Sequence, residues 1–290
     1  MIPTEVEQLL AEVPSDWQRS MLERAAEVLP AYPGVLAVLV TGSVASSAAD
    51  RFSDLDLLVV VAEDDLGWWD TGWKRAAEAV AGPLVLANPI GATVSRGYVV
   101  INSRWEHLDL VIQSAAAFTP PAVTRGLFDP QRLATAASGP KAHELSRPYY
   151  PEESVELFLY LLGVATATLG RGEVLLAHAG VAALRDQLVC VMLGENGIRR
   201  SGGAKKLNPY LSKGQRELLL TVSAAAPDVS DILRAYHAIT VELVTRARTL
   251  AAHCGGVFPE RMLEATDAHL TRELGDAWTA LGPLPTATSI

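Results

Sequence analysis

LVTGSVASSAADRFSDLDLLVVV, residues 39–61, decides how the rest of the chain is read. An apolar, largely β-branched run from Val35 to Val40 leads into it, Gly42 and Ser43 turn the chain, and a second run follows from Leu57 to Val61. Continuous runs of this kind suit strands buried on both faces. Asp54 and Asp56 stand two apart where the second run begins, and alternate residues of a strand share a face. Two carboxylates at the edge of a buried sheet, beside a tight turn, outline a metal site.

Upstream, residues 15–29 space Trp17, Met21, Ala25, Val28 and Leu29 as a helix does, with Ser15 or Asp16 as N-cap, until Pro30 and Pro33 stop it. Downstream, the acids Glu63, Asp64 and Asp65 precede a helix over 66–81 whose Trp68, Trp69 and Trp73 read as core residues. Residues 84–87 and 93–101 read as extended. Residues 105–113, WEHLDLVIQ, form a further strand in which Asp109 stands among Leu108, Leu110, Val111 and Ile112, and residues 122–128 could add an edge strand.

Pro140, Pro148 and Pro151 punctuate a polar linker over 139–151. Beyond it the β-branched runs cease. Helices are expected over 152–169, 173–193, 215–224, 228–253 and 260–278, with Gly170, Gly194, Gly197 and Gly255 as terminators. At roughly 100 to 200 residues per domain, the chain suits two. The expected fold is α+β: a small mixed β-sheet domain with flanking helices over residues 1–145, followed by an α-helical bundle over residues 146–290.

A 49% hydrophobic and 20% charged composition is that of a folded globular chain. The net charge of -9 argues against nucleic acid as a partner, because phosphate backbones are held by clustered Lys and Arg, and it suits a cationic one. Cys190 and Cys254 lie in apolar helical stretches and support neither a disulfide framework nor a zinc site. The N-terminal stretch carries acids where a signal peptide carries bases, and no uninterrupted apolar run reaches the roughly 18 residues that a bilayer requires. A cytoplasmic protein with no membrane partner is the expectation.

Asp54 and Asp56, with Asp109 on a neighbouring strand, would bring three acids to one point. Ionised acids so placed repel one another, so a divalent cation is their natural companion, and all-oxygen ligands favour magnesium over zinc. Gly42 lets backbone approach a ligand closely, and Ser43 and Ser53 are candidates to bind phosphate oxygens. This equipment suits phosphoryl or nucleotidyl transfer. Glu106 competes with Asp109 for the role of base, but three residues away on a strand it faces the other side. Histidines offer little. Arg248 and His253 match a short ribonuclease-toxin spacing that chance supplies often. No Walker loop, dinucleotide fingerprint, nucleophile elbow or His-Glu zinc motif is present.

Gly42-Ser43, Asp54 eleven residues after the serine, Asp56, the flanking apolar runs and a third acid on a later strand together resemble the nucleotidyltransferase superfamily of the polymerase β type. The family pattern often has a second glycine four residues after the serine, where this chain has Ser47. The helical second half makes the layout similar to the aminoglycoside and other antibiotic adenylyltransferases. That resemblance implies transfer of a nucleoside monophosphate, with AMP the expected group, from a nucleotide triphosphate to a hydroxyl of a small, cationic molecule, an aminoglycoside or lincosamide antibiotic being the type. It implies Mg2+ at Asp54, Asp56 and Asp109, and triphosphate contacts from Arg185, Lys205, Lys206 and Tyr236. The alternative is a regulatory protein of the same fold that modifies or binds a protein partner, as an antitoxin does, or an inactive homologue.

Overall fold

The run Val35–Val40 is strand β1 and Leu55–Val61 is strand β2, paired antiparallel so that Val40 faces Leu57 and Val38 faces Val59. In this computed structural model the described residues are 4–90, 96–121, 123–134, 147–199 and 206–286. They fall in two compact units, Met1–Ala142 and His143–Ile290. The fold is α+β, a mixed sheet with flanking helices and then a helical unit.

In chain order the first unit holds α1 (Thr4–Glu12), α2 (Asp16–Val28), β1, the single turn α3 (Gly42–Ala45), β2 and α4 (Trp69–Ala81). Four strands complete it: β3 (Leu84–Ile90), β4 (Arg96–Asn102), β5 (His107–Ser114) and β6 (Arg125–Phe128). The six-stranded sheet has the order β3-β4-β5-β2-β1-β6, so β6 is an edge strand. Only the central β2–β5 pair is parallel, and its register sets Leu55 opposite Leu108 and Asp56 opposite Asp109. Asp54, Asp56 and Asp109 therefore sit at one end of the sheet, where β2 and β5 enter and β1 leaves.

Period-two alternation explains the two sheet faces. Leu55, Leu57, Val59 and Val61 pack with Met21 and Leu22 of α2 and Ala76, Ala77 and Val80 of α4, while Leu58 and Val60 join Ala37 and Leu39 in a small cluster on the other side. Asp56 lies two residues before Leu58, so it belongs to the face away from the helices. Burying each such Leu or Val is worth about 1.5–3 kcal/mol, enough to fix the strand register against a one-residue slip that would bury Asp56 among the helices. The tryptophans serve the core: Trp69 is fully buried with Nε1 donating to Pro33 O at 3.1 Å, and Trp73 stacks on Tyr98 with centroids 3.8 Å apart.

Helix α1 is absent from the sequence reading, because it is short and opens on two glutamates. Its Val6, Leu9 and Leu10 are buried, and its last residue reaches the site-bearing turn. Glu12 Oε2 accepts from Arg125 of β6 at 2.5 Å and from Ser47 Oγ at 2.7 Å. The Arg125 hydrogen bond leads in holding the Glu12 carboxyl below the usual glutamate range. A lowered folded-state value stabilises above the unfolded glutamate pKa and is lost as pH falls through the folded one. Glu12→Gln should thus lower the melting temperature slightly at pH 7, by the less than about 1 kcal/mol typical of an exposed pair, and the two proteins should melt together once pH is well below the glutamate range.

The second unit is helical: α5 (Glu152–Gly170), α6 (Val174–Glu195), α7 (Lys213–Val222), α8 (Val229–Cys254), α9 (Glu260–Leu274) and α10 (Asp276–Thr279). A capping box between Ser212 and Gln215 starts α7, Asp228 caps α8, and Gly255 ends α8 with a left-handed φ of 71°. Gly197, with φ 65°, turns the chain after α6. Gly194 is instead buried inside α6, where a side chain would meet Tyr149 O at 2.6 Å, so it serves close packing. Gly275 splits the last expected helix into α9 and α10.

Helices α5 and α6 are long and apolar enough, by length and composition alone, to cross a membrane, with hydropathies of 1.2 and 1.5. Neither holds an uninterrupted apolar run of that length, because Glu152, Glu153 and Glu156 interrupt α5 and Arg185 and Asp186 interrupt α6. Both helices put apolar residues into the core of this unit, Phe158 and Leu162 from α5 and Leu188 and Met192 from α6, while Leu157, Tyr160, Val164, Leu175 and Leu176 are exposed.

Candidate active site

The site is built where the sheet ends. Asp54 immediately precedes β2, Asp56 is its second residue, and Asp109 is the third residue of β5. Thr41 N donates to Asp56 O at 3.0 Å, which closes the turn after β1 onto the start of β2. Gly42 has φ 63°, and a methyl group there would lie 2.0 Å from Asp56 Oδ2. The Asp56 carboxylate thus rests against the Gly42 backbone, an approach that no other residue permits.

Convergence of the three carboxylates is met in part. Among the described residues, the donor atoms of Asp54, His107 and Asp109 lie within 4.8 Å of one another, and all three residues are half-buried. Asp56 is the lateral neighbour of Asp109 in the sheet register but stands outside that group. His107 takes its place, with Nε2 2.9 Å from Asp109 Oδ1. This histidine is absent from the sequence reading although its signal is present: His107 and Asp109 are two apart on one strand, the same spacing that singles out Asp54 and Asp56.

Glu106 is disposed of by its partners. It is 9% exposed, and its Oε2 accepts from Asn102 Nδ2 at 2.6 Å and Arg104 Nη2 at 2.9 Å. Arg104 thereby neutralises Glu106 and leaves the charge of Asp109 to other company.

The turn from Thr41 to Ala48 is tied by backbone bonds such as Ala48 N to Ser43 O at 2.9 Å. Ser43 Oγ is buried and makes no hydrogen bond among the described residues. Ser47, where the family pattern has a second glycine, adopts φ 54° and so takes the conformation that glycine would supply. Its hydroxyl is the one that Glu12 holds.

The five other expected phosphate ligands fare differently. Ser53 is corrected to a structural role: its Oγ accepts from Asp50 N at 3.0 Å and donates to Asp50 Oδ1 at 3.1 Å, so the hydroxyl is spent on the local turn. Tyr236 is likewise corrected. It is 1% exposed in the core of the helical unit, its hydroxyl donates to Ala177 O at 2.6 Å, and burial pushes its phenol up to about 12. Tyr236→Phe is expected to leave nucleotide affinity unchanged and to lower unfolding stability by about 1 kcal/mol, checked by chemical denaturation and nucleotide titration. Arg185 lies on α6 with Nη2 2.8 Å from Asp186 Oδ1 and lines a cavity of about 1650 Å³ within the helical unit, beside Tyr149, Tyr150, Arg199 and Arg216. Lys206 is half-buried next to that cavity's Leu207, and Lys205 lies outside the described residues.

Arg248 is also structural, held by Glu260 at 2.5 Å and by Pro285 O at 2.6 Å, which leaves no place for the toxin-like spacing.

No protein-family model matches the chain, and no curated protein matches it. Among solved structures, an aminoglycoside 6-adenyltransferase from Bacillus subtilis is similar over 88% of this chain and 97% of its own, at 14% identity and a TM-score of 0.40. A likeness that slight carries no argument about activity, and function has to be argued from the site.

Proposed function

We propose that the chain is a magnesium-dependent nucleotidyltransferase, which moves a nucleoside monophosphate, AMP the expected group, from a nucleotide triphosphate to a hydroxyl of a small cationic molecule. One observation carries this reading: Asp54 and Asp109 converge at the end of a sheet where Gly42 and Ser43 turn the chain beside Asp56. The residues fit a cation. Donor atoms within 4.8 Å are close enough to share one ion, and like charges that near are costly without one. Asp54 and Asp109, with Asp56 alongside, would hold Mg2+, which supplies charge neutralisation for a triphosphate.

The chain's own groups account for the rest. Ser43 Oγ, buried and without a hydrogen-bond partner among the described residues, is a donor suited to a phosphate oxygen. Asp109 accepts the proton of the acceptor hydroxyl as its oxygen bonds to the α-phosphorus. The α–β bridging P–O bond breaks, and pyrophosphate leaves. The net charge of -9 supports a cationic acceptor such as an aminoglycoside.

The test is pyrophosphate release by the full chain with Mg2+, each nucleotide triphosphate in turn, and a panel of aminoglycosides and lincosamides. Release that depends on an acceptor is expected. Nucleotide binding with no release from any acceptor would overturn the reading in favour of a regulatory role.

A further inference from the structure

We infer that His107 is a direct metal ligand, so that the end of the β2–β5 pair is a mixed nitrogen–oxygen site which takes a transition cation such as Co2+ or Zn2+ more tightly than Mg2+. The inference deepens the proposed transfer reaction and rests on the cation site which that reading uses. Its evidence is geometric. His107 and Asp109 are alternate residues of β5 and share a face, Asp54 stands at the entry of the parallel neighbour, and one donor atom from each lies within 4.8 Å of the others. Metal–ligand bonds of about 2.0–2.2 Å set neighbouring donors roughly 3 Å apart and opposite donors roughly 4.3 Å apart. The 2.9 Å between His107 Nε2 and Asp109 Oδ1 is the separation of two neighbouring donors, and Asp54 offers an oxygen no farther than 4.8 Å from either.

Donor chemistry then sets the preference. Mg2+ favours oxygen and keeps much of its water, whereas imidazole suits Zn2+ and the later divalent ions, whose affinities rise along the Irving–Williams order. An all-carboxylate site lacks that bias. Glu106, the residue before His107, does not join the set, since Asn102 and Arg104 hold it. Mg2+ remains able to occupy the site through the carboxylates at higher concentration.

The experiment titrates the metal-free full chain, without nucleotide, with Co2+, follows the visible absorption bands, and then displaces Co2+ with Mg2+. One Co2+ per chain is expected, with Mg2+ displacing it only at about 100-fold higher concentration or more. His107→Ala and His107→Gln should each weaken Co2+ binding at least about tenfold while changing Mg2+ binding less than about threefold. Full Co2+ affinity in His107→Gln, which can still hydrogen-bond Asp109, would make His107 a positioning residue and overturn the inference, as would absent Co2+ binding or equal affinities for the two ions. A hyperfine-shifted exchangeable imidazole proton in the wild-type Co2+ form is expected and requires no variant; its absence would count against ligation. Pyrophosphate release together with His107-independent Co2+ binding would sink this inference alone. Co2+ held through His107 with no release from any acceptor would sink the transfer reaction alone.

Discussion

Asp109→Asn and Asp54→Asn are each expected to lower the transfer rate by about a thousandfold or more, some 4 kcal/mol of lost transition-state stabilisation, without unfolding the first unit. The two side chains converge at the entries of neighbouring strands, so an amide at either position removes one of the carboxylate charges that a cation would see and keeps the shape of the side chain. At Asp109 the amide also removes the oxygen that accepts the hydroxyl proton. Folding should be indifferent or slightly improved, because two negative charges within 4.8 Å repel each other when no cation lies between them. The check pairs steady-state transfer rates with thermal melts of the metal-free proteins. A variant with near-normal melting and a rate within tenfold of wild type would remove that carboxylate from the mechanism.

Gly42→Ala carries the second large expected effect, through backbone and side chain together. With φ at 63°, any L-residue there is strained by roughly 1–2 kcal/mol, and its methyl group would overlap Asp56 Oδ2 at 2.0 Å. Asp56 is in register with Asp109, so displacing its carboxylate disturbs the site beside that residue. Turnover should fall by about a hundredfold or more, since misplacement of about an ångström at a reacting centre costs that much. The melting temperature should drop by only a few degrees, in line with the strain. Rates and melts of Gly42→Ala separate the two effects, and an unimpaired rate would show that the approach of Asp56 to the turn is without consequence for chemistry.

Much of this arrangement is legible in the residues themselves. The buried runs at 35–40 and 57–61, the acids two apart at the entry to β2, and Asp109 among aliphatic neighbours follow from the period of a strand, and the sheet honours them. The helical half is legible because its apolar spacing is helical and its ends carry Gly, Asp and Ser caps.

What escaped does so for physical reasons. Two apparent ligands, Ser53 and Tyr236, are consumed by local bonds: Asp50 and Ser53 form a self-contained turn, and Tyr236 shares an apolar helix face with Ile232, Ile239 and Leu243, all buried. That face could have marked Tyr236 as core in advance. Whether the Asp56 carboxylate joins the other acids depends on side-chain rotation over Gly42, which no residue pattern encodes. His107 was open to the same alternation argument as the acids and lies on their side of the sheet. The apolar length of α5 and α6 is not legible as an unbroken run, because charged residues are scattered along both helices.

The most direct test of the central claim follows two labels. The chain is incubated with Mg2+, an acceptor that supports pyrophosphate release, and a nucleotide triphosphate labelled at either the α- or the γ-phosphorus. Nucleotidyl transfer predicts α-label on the acceptor and γ-label in pyrophosphate, with both signals lost in Asp109→Asn. Label from the γ-phosphorus on the acceptor, or inorganic phosphate released from the nucleotide while the acceptor stays unmodified, would contradict it.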